Sequence, residues 1–324
     1  MNLDIGGLFD AASGGDRRSL ARLLTVAERG GEDGRAAAAL AYRSGAEAIT
    51  VGITGAPGAG KSTLVDRLIA VARGSGTEQL AVLAVDPTSP FSGGAILGDR
   101  VRMQGHDLDP GVFIRSMASR GHLGGLAVAV PEAIRLFVAT GTPVVLVETV
   151  GVGQVEVEVA SATDTTVVVV NPKWGDSIQA NKAGLLETAD IFVINKADMP
   201  GADQSRRDLE QMLDLSTPGA WRPPILATVA ATGEGVDTLW AEIGRHQTYL
   251  EESGLLKARR RERLRREFRR ILRARIEEEI DRLSTLARFA ELDEAVLEHR
   301  LDPYAAAEEL VARKADDDSG PVVT

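Results

Sequence analysis

Residues 50–63 read TVGITGAPGAGKST, and this stretch decides the fold. Thr50–Thr54 is a short β-branched run, while Gly55–Ser62 matches G-x-x-x-x-G-K-[ST] in full and opens a helical stretch, Ser62–Arg73. Strand, glycine loop and helix in that order are the context the motif requires to be a phosphate site rather than a chance glycine turn. Gly55, Gly58 and Gly60, with Ala59 between the last two, let the backbone curl so that its N–H groups point inward at an anion. The helix N-terminus adds positive potential. Lys61 is expected on the β- and γ-phosphates, Ser62 on Mg²⁺, and Thr63 on the α-phosphate. The motif by itself leaves ATP and GTP both open.

Outward from this loop, apolar runs alternate with helical stretches: AITVGITG, LAVLAVD, VVLVETVG, TTVVVVN, IFVINKAD and PILATVAA. Helices are expected between them, for example over Pro131–Ala139. Continuous apolar strands separated by helices imply an α/β fold with a mainly parallel sheet covered on both faces. Ligands of such sheets sit beyond the carboxyl ends of the strands, where the motifs fall. Before the sheet, residues 1–48 read as a helical lead-in, with Leu20, Leu23, Leu24 and Ala27 at helical spacing and a break at Gly30-Gly31. Residues 49–248 are expected to form the nucleotide domain. Residues 249–316 form a helical arm, expected as one long helix over 255–287 and a second over 289–314, and 317–324 a flexible tail.

IFVINKAD, residues 191–198, carries the choice of base. An apolar strand ending in Asn-Lys-x-Asp offers a carboxylate, Asp198, to the N1–H and 2-amino donors of guanine. Adenine lacks that donor pair and would leave the carboxylate unpaired. Asn195 is expected on the purine edge and the Lys196 stem over the base. A third contact is expected from TVAATGEG, residues 228–235, where nucleotide-binding proteins of this kind usually have Ser-Ala and this chain has Val229-Ala230. The backbone contact survives that change, while a serine hydroxyl is lost. An ordinary strand-end turn at 195–198 and an ordinary glycine turn at 228–235 are the plainer alternatives.

Asp86 ends LAVLAVD, Glu148 ends VVLVE, and Asp99 lies in ILGDRVRM. Mg²⁺ takes oxygen ligands, usually one or two carboxylates beside phosphate and water. Ser62, Asp86, Asp99 and Glu148 are therefore the candidate metal set, and Lys61, Asp99 and Glu148 the candidate catalytic set. Strand-end capping is the alternative for Asp86 and Glu148, and a solvated loop acid for Asp99. Gln154 is a candidate to orient water, and Arg100 and Arg102 are candidates for a charge-stabilising arginine.

At these residues the chain resembles the MeaB/ArgK family of P-loop GTPases. The matching segments are GITGAPGAGKSTLVDRL, AVDPTSPFSGGAILGDRVRM, RSMASRGHLGGL, ETVGVGQVE, GDSIQANKAGLLETAD and NKAD, spread over roughly residues 50–200. Glu-Thr-Val-Gly replaces the Asp-x-x-Gly of most GTPases, which points to this subclass. The resemblance implies a GTP-hydrolysing chaperone of an adenosylcobalamin-dependent acyl-CoA mutase, typically methylmalonyl-CoA mutase. It implies Mg²⁺ held by Ser62, Asp86, Asp99 and Glu148, GTP and GDP as ligands, and a homodimer formed through the C-terminal helices. It also implies nucleotide-sensitive loops at 87–106, 150–160 and 171–184, the last containing Asn171-Pro172-Lys173-Trp174-Gly175.

Composition narrows the alternatives. There is no cysteine, which removes disulfides and thiolate metal sites. Aromatic residues are 4% and net charge is −10, both unfavourable for nucleic-acid binding. No apolar run of membrane-spanning length and no signal pattern is evident, so a cytoplasmic protein is expected. Residues 257–275, KARRRERLRREFRRILRAR, hold eleven basic and two acidic residues. They carry an apolar stripe of Leu264, Phe268 and Ile271 that continues to Ile280 and Leu283, and read as a dimer or partner helix. An RNA-associated GTPase rests on that basic helix alone, and a kinase on the phosphate loop alone. His106, His122, His246 and His299 are scattered without metal-cage spacing, and cobalamin binding by this chain itself has no sequence support.

Overall fold

The computed structural model describes residues 3–86, 104–106, 108–118, 125–149, 159, 161–172, 188–215 and 220–317. They fall into two compact units, Met1–Arg265 and Arg266–Thr324.

The first unit is built on a sheet of seven strands: β1 Ile49–Gly55, β2 Leu80–Asp86, β3 Val112–Ala118, β4 Val144–Thr149, β5 Thr165–Val170, β6 Ile191–Asn195 and β7 Ile225–Thr228. Their order is β3-β2-β4-β1-β5-β6-β7, and every neighbouring pair is parallel. Burial on both faces explains the unbroken apolar runs of the inner strands β2, β4, β1, β5 and β6. Val51, Ile53, Val82 and Leu146 face α4 (Lys61–Gly74) and α7 (Val236–Glu252). Ala81, Leu83, Val145 and Val147 face the opposite layer, which includes α5 (Gly125–Ala139). There the lead-in closes the core: α1 (Ile5–Ser13) sends Ile5, α2 (Arg17–Arg29) sends Leu20, Leu23 and Leu24, and α3 (Gly31–Arg43) sends Ala37 into one cluster with Phe137. The helix α6 (Ala202–Leu215) covers the β6 side through Leu209.

Several elements differ from the sequence reading. β3 was expected as part of no strand, because Arg115 and Ser116 interrupt its apolar character. The charge is accommodated by Glu28 of α2, 2.7 Å from the Arg115 guanidinium. α1 precedes the two expected lead-in helices and is capped by Asp4, which accepts from the Gly7 amide. α5 starts at Gly125, six residues before Pro131, which sits inside the helix.

The basic stretch opens α8 (Leu255–Ser284), and within the first unit its arginines have specific tasks. Arg260 and Arg263 reach the two oxygens of Asp164 at 2.7 and 2.8 Å. Arg259 reaches Asp190 at 3.0 Å. Asp164 immediately precedes β5 and its side chain is wholly buried. Burial pushes its carboxyl up, but the hydrogen bond from Arg260 and the charges of Arg263 and Arg260 outweigh this and hold it below the usual range. Beside this pair, buried His246 meets Thr165 Oγ1 at 2.8 Å and lies against Trp221.

The second unit contains the rest of α8, α9 (Ala287–Leu297) and α10 (Pro303–Asp317). The sequence suggested one helix over 289–314. The chain breaks because His299 takes a positive φ of 58° and Pro303 starts a new helix, with Asp302 accepting from the Tyr304 and Ala305 amides. Phe268, Leu272, Ile276 and Ile280 on α8 are exposed. Among the described residues no helix is long and apolar enough to cross a membrane.

Candidate functional site

The glycine loop turns at the carboxyl end of β1, the central strand between β4 and β5. Gly55 leaves the strand with φ 136°, and a Cβ there would stand 2.0 Å from the Val169 carbonyl oxygen of β5. No side chain fits that approach. Gly60 ends the loop in the left-handed region at φ 88°, immediately before α4. A Cβ on it would meet the Asn195 amide nitrogen at 2.4 Å. Lys61 is buried, its ammonium donating to the Gly55 carbonyl at 2.7 Å and the Ala56 carbonyl at 3.1 Å. The lysine charge is therefore concentrated at the loop. Thr63 is exposed on the first turn of α4.

Ser62 of α4 and Glu148 of β4 come together. Ser62 Oγ donates to Glu148 Oε1 at 2.6 Å, and both residues are buried. β4 lies between β1 and β2, so Asp86 ends the strand next to Glu148, with Ala84 level with Glu148. The Asp86 side chain lies outside what is described, as do Asp99, Arg100, Arg102, His122, Gln154, Lys173, Trp174 and Gly175.

Asn195 connects three pieces. Its Nδ2 donates to the Ala59 carbonyl at 2.7 Å, and its Oδ1 accepts from Thr228 Oγ1 at 3.1 Å and from the Ala230 amide at 3.0 Å. Lys196 takes a positive φ of 60° and its ammonium reaches the Gly58 carbonyl at 2.9 Å. Asp198 is exposed in the turn after β6. The Ala197 amide donates to the Thr228 carbonyl at 3.0 Å, which fixes that turn to β7.

Val229 and Ala230 are both buried. The Val229 carbonyl accepts from the Thr232 and Gly233 amides, and its own amide donates to Glu234. The loop that lacks the usual serine is thus pinned by its backbone. Thr228, the first residue of the 228–235 segment, adds a side-chain contact to Asn195 that the segment was not expected to make. Arg67, which donates to the Ala230 and Ala231 carbonyls at 3.2 and 3.1 Å, belongs to no motif. His106 sits against α4, its Nε2 3.1 Å from the Asp66 carbonyl and 3.3 Å from the Asp66 carboxylate.

A parallel sheet with a lysine-bearing glycine loop at its central strand, tied to an Asn-Lys-x-Asp turn two strands away, defines a P-loop GTPase. Residues 20–284 match the family described as methylmalonyl-CoA mutase-associated GTPase MeaB, and the chain belongs to that family. A protein of Pyrococcus abyssi named as a GTPase is 48% identical over 305 residues, covering 93% of this chain and 94% of its own. The GTPase ArgK of Escherichia coli is 40% identical over 213 residues, covering 64% of each. The solved structure of a LAO/AO transport system kinase superposes with a TM-score of 0.69 at 27% identity, covering 97% of this chain and 99% of that one. The chain is accordingly a GTPase of this family with the α/β fold expected from its strands.

Proposed function

We propose that this GTPase binds GTP and GDP through the loop, the Asn195 turn and the Val229-Ala230 loop, and serves an adenosylcobalamin-dependent acyl-CoA mutase. The observation that carries the nucleotide assignment is Asn195, which joins Ala59 of the phosphate loop to Ala230 of the loop after β7. Phosphate and base subsites are thereby built as one unit. Gly55, Gly58, Ala59, Gly60, Lys61, Ser62 and Thr63 take the phosphates, Asn195, Lys196 and Asp198 the guanine. The client assignment rests on the family's description as mutase-associated over residues 20–284.

The donor set fits Mg²⁺: a hydroxyl and a carboxylate, both hard oxygen donors, converge at 2.6 Å beside the phosphate loop. Ser62 and Glu148 would hold the ion, joined by Asp86 from the neighbouring strand and by Asp99. When bound, Mg²⁺ supplies positive charge against the phosphate oxygens. Lys61 and the loop amides stabilise the charge that develops on the transferred phosphoryl group, and the packed glycine loop fixes that geometry before the reaction. Hydrolysis proceeds by in-line attack of water on the γ-phosphate. Arg100 and Arg102, the sequence candidates for a charge-stabilising arginine, lie outside the described residues; turnover is expected to be slow until the client binds.

The exposed apolar residues of α8 are the surface we assign to homodimer formation, and the cytoplasm the setting in which the protein acts. Three of the eleven basic residues of 257–275, Arg259, Arg260 and Arg263, are directed to Asp164 and Asp190, which takes those three charges away from an RNA-binding surface. Co-purification with methylmalonyl-CoA mutase, with GDP or a non-hydrolysable GTP analogue present, tests the reading. A nucleotide-dependent complex is expected. Absence of a complex with either nucleotide, and no change in GTP turnover on adding the mutase, would overturn the client assignment.

A further inference from the structure

We propose that Arg67 is a positioning residue for guanine recognition: from α4 it aims the backbone of the loop after β7 at the carbonyl edge of the base. The inference rests on the nucleotide reading above and extends it to a residue outside every motif. Arg67 lies in the second turn of the helix whose first residue is Lys61. Its Nε donates to the Ala230 carbonyl at 3.2 Å and an Nη to the next carbonyl, Ala231, at 3.1 Å. Guanidinium is suited to this task, since it presents rigidly spaced donors in one plane.

The consequence follows from peptide geometry. A trans peptide is planar, and its N–H points opposite its carbonyl. Holding the Ala230 carbonyl therefore fixes the direction of the Ala231 N–H, and holding the Ala231 carbonyl fixes the next peptide plane. On the other side of the same loop, Asn195 accepts from the Ala230 amide at 3.0 Å. The Val229 carbonyl is already committed to the Thr232 and Gly233 amides. Three consecutive carbonyls are thus engaged, two of them by Arg67. This arrangement gives a physical account of Val229. The loop does without the serine usual at this position because its peptide planes are set from behind by an arginine on the phosphate-binding helix. The Ala231 N–H, set in this way between amides that are committed to Asn195 and to the Val229 carbonyl, suits the 6-carbonyl of guanine, which hypoxanthine shares and adenine replaces by an amino group.

The test compares GDP, IDP and ADP affinities of the full chain, Arg67→Met, Arg67→Lys and Asp198→Asn. Arg67→Met is expected to weaken GDP and IDP by the same factor, roughly threefold to tenfold, the scale of one net hydrogen bond. ADP, which has no carbonyl at that edge, keeps its weak affinity. Arg67→Lys recovers part of the loss, because a single ammonium holds one carbonyl rather than two. Equal loss for GDP and ADP would overturn the proposal, since it would mean that Arg67 merely supports α4. Unchanged GDP affinity in Arg67→Met would overturn it as well. Asp198→Asn separates the two levels. If it leaves the preference for GDP over ADP intact, the base-site reading fails. If it erodes that preference while Arg67→Met does not, only the role of Arg67 fails.

Discussion

Asn195 donates its side-chain amide to the Ala59 carbonyl at 2.7 Å, and that bond joins the end of β6 to the phosphate loop at the end of β1. Both residues are almost completely buried. Replacing Asn195 with Ala leaves the Ala59 carbonyl and the Ala230 amide without this partner. A buried polar group left unsatisfied costs about 1–3 kcal/mol. Asn195→Ala is therefore expected to lower the urea unfolding midpoint in the absence of nucleotide as well as GDP affinity. A variant with wild-type stability and weaker GDP binding would show that Asn195 serves the base alone and does not organise the site.

The parts of this site that were legible in the sequence are those in which residue type and chain order carry the chemistry. Gly55–Ser62 and Asn195–Asp198 were readable because a glycine loop between strand and helix, and an amide beside a carboxylate at a strand end, have few other uses. β2, β4, β5 and β6 were legible with β1, because burial on both faces makes them continuous apolar runs; β7, at the sheet edge and largely half-buried, was legible only as the apolar run that leads into the 228–235 loop. β3 was not, since Arg115 in its middle depends on Glu28, 87 positions away in sequence. Arg67 was invisible for the same reason: its partners, Ala230 and Ala231, lie more than 160 residues on and accept through backbone carbonyls that any residue would offer. The basic stretch was recognised as a helix, but its charges gave no hint that Asp164, just before a buried strand, was their target.

Asp164 makes stability depend on acid. Its carboxyl is wholly buried between Arg260 and Arg263, and its proton affinity is lowered in the folded chain despite that burial. The unfolded chain, with an ordinary aspartate near 3.9, binds the proton more readily. The stabilisation is therefore complete above the ordinary carboxylate range and drains away as pH falls through the lowered folded value. Asp164→Asn is expected to cost about 3–5 kcal/mol at neutral pH, the scale for removing one partner of a buried ion pair. Urea titrations at neutral pH and near pH 3 check this. The difference between wild type and Asp164→Asn should be large at neutral pH and narrow in acid. A constant difference would mean that the loss comes from packing and not from charge.

Glu148 stands where most GTPases carry aspartate, and its reach is what brings a carboxylate oxygen to 2.6 Å from Ser62 Oγ. Aspartate keeps the charge but is shorter by one carbon–carbon bond, about 1.5 Å. In Glu148→Asp the contact with Ser62 is lost while the strand, buried along its whole length, remains. If the two residues hold Mg²⁺ together, the variant is expected to need at least roughly 10- to 100-fold more Mg²⁺ for half-maximal GTP hydrolysis, the range for disturbing even the groups that orient a metal's ligands. GDP binding without Mg²⁺ should change little, because the phosphate loop and Asn195 are untouched. A magnesium titration of hydrolysis beside a metal-free GDP titration separates these effects. An unchanged Mg²⁺ requirement would show that the carboxylate acts on Ser62 alone and that the metal is held elsewhere.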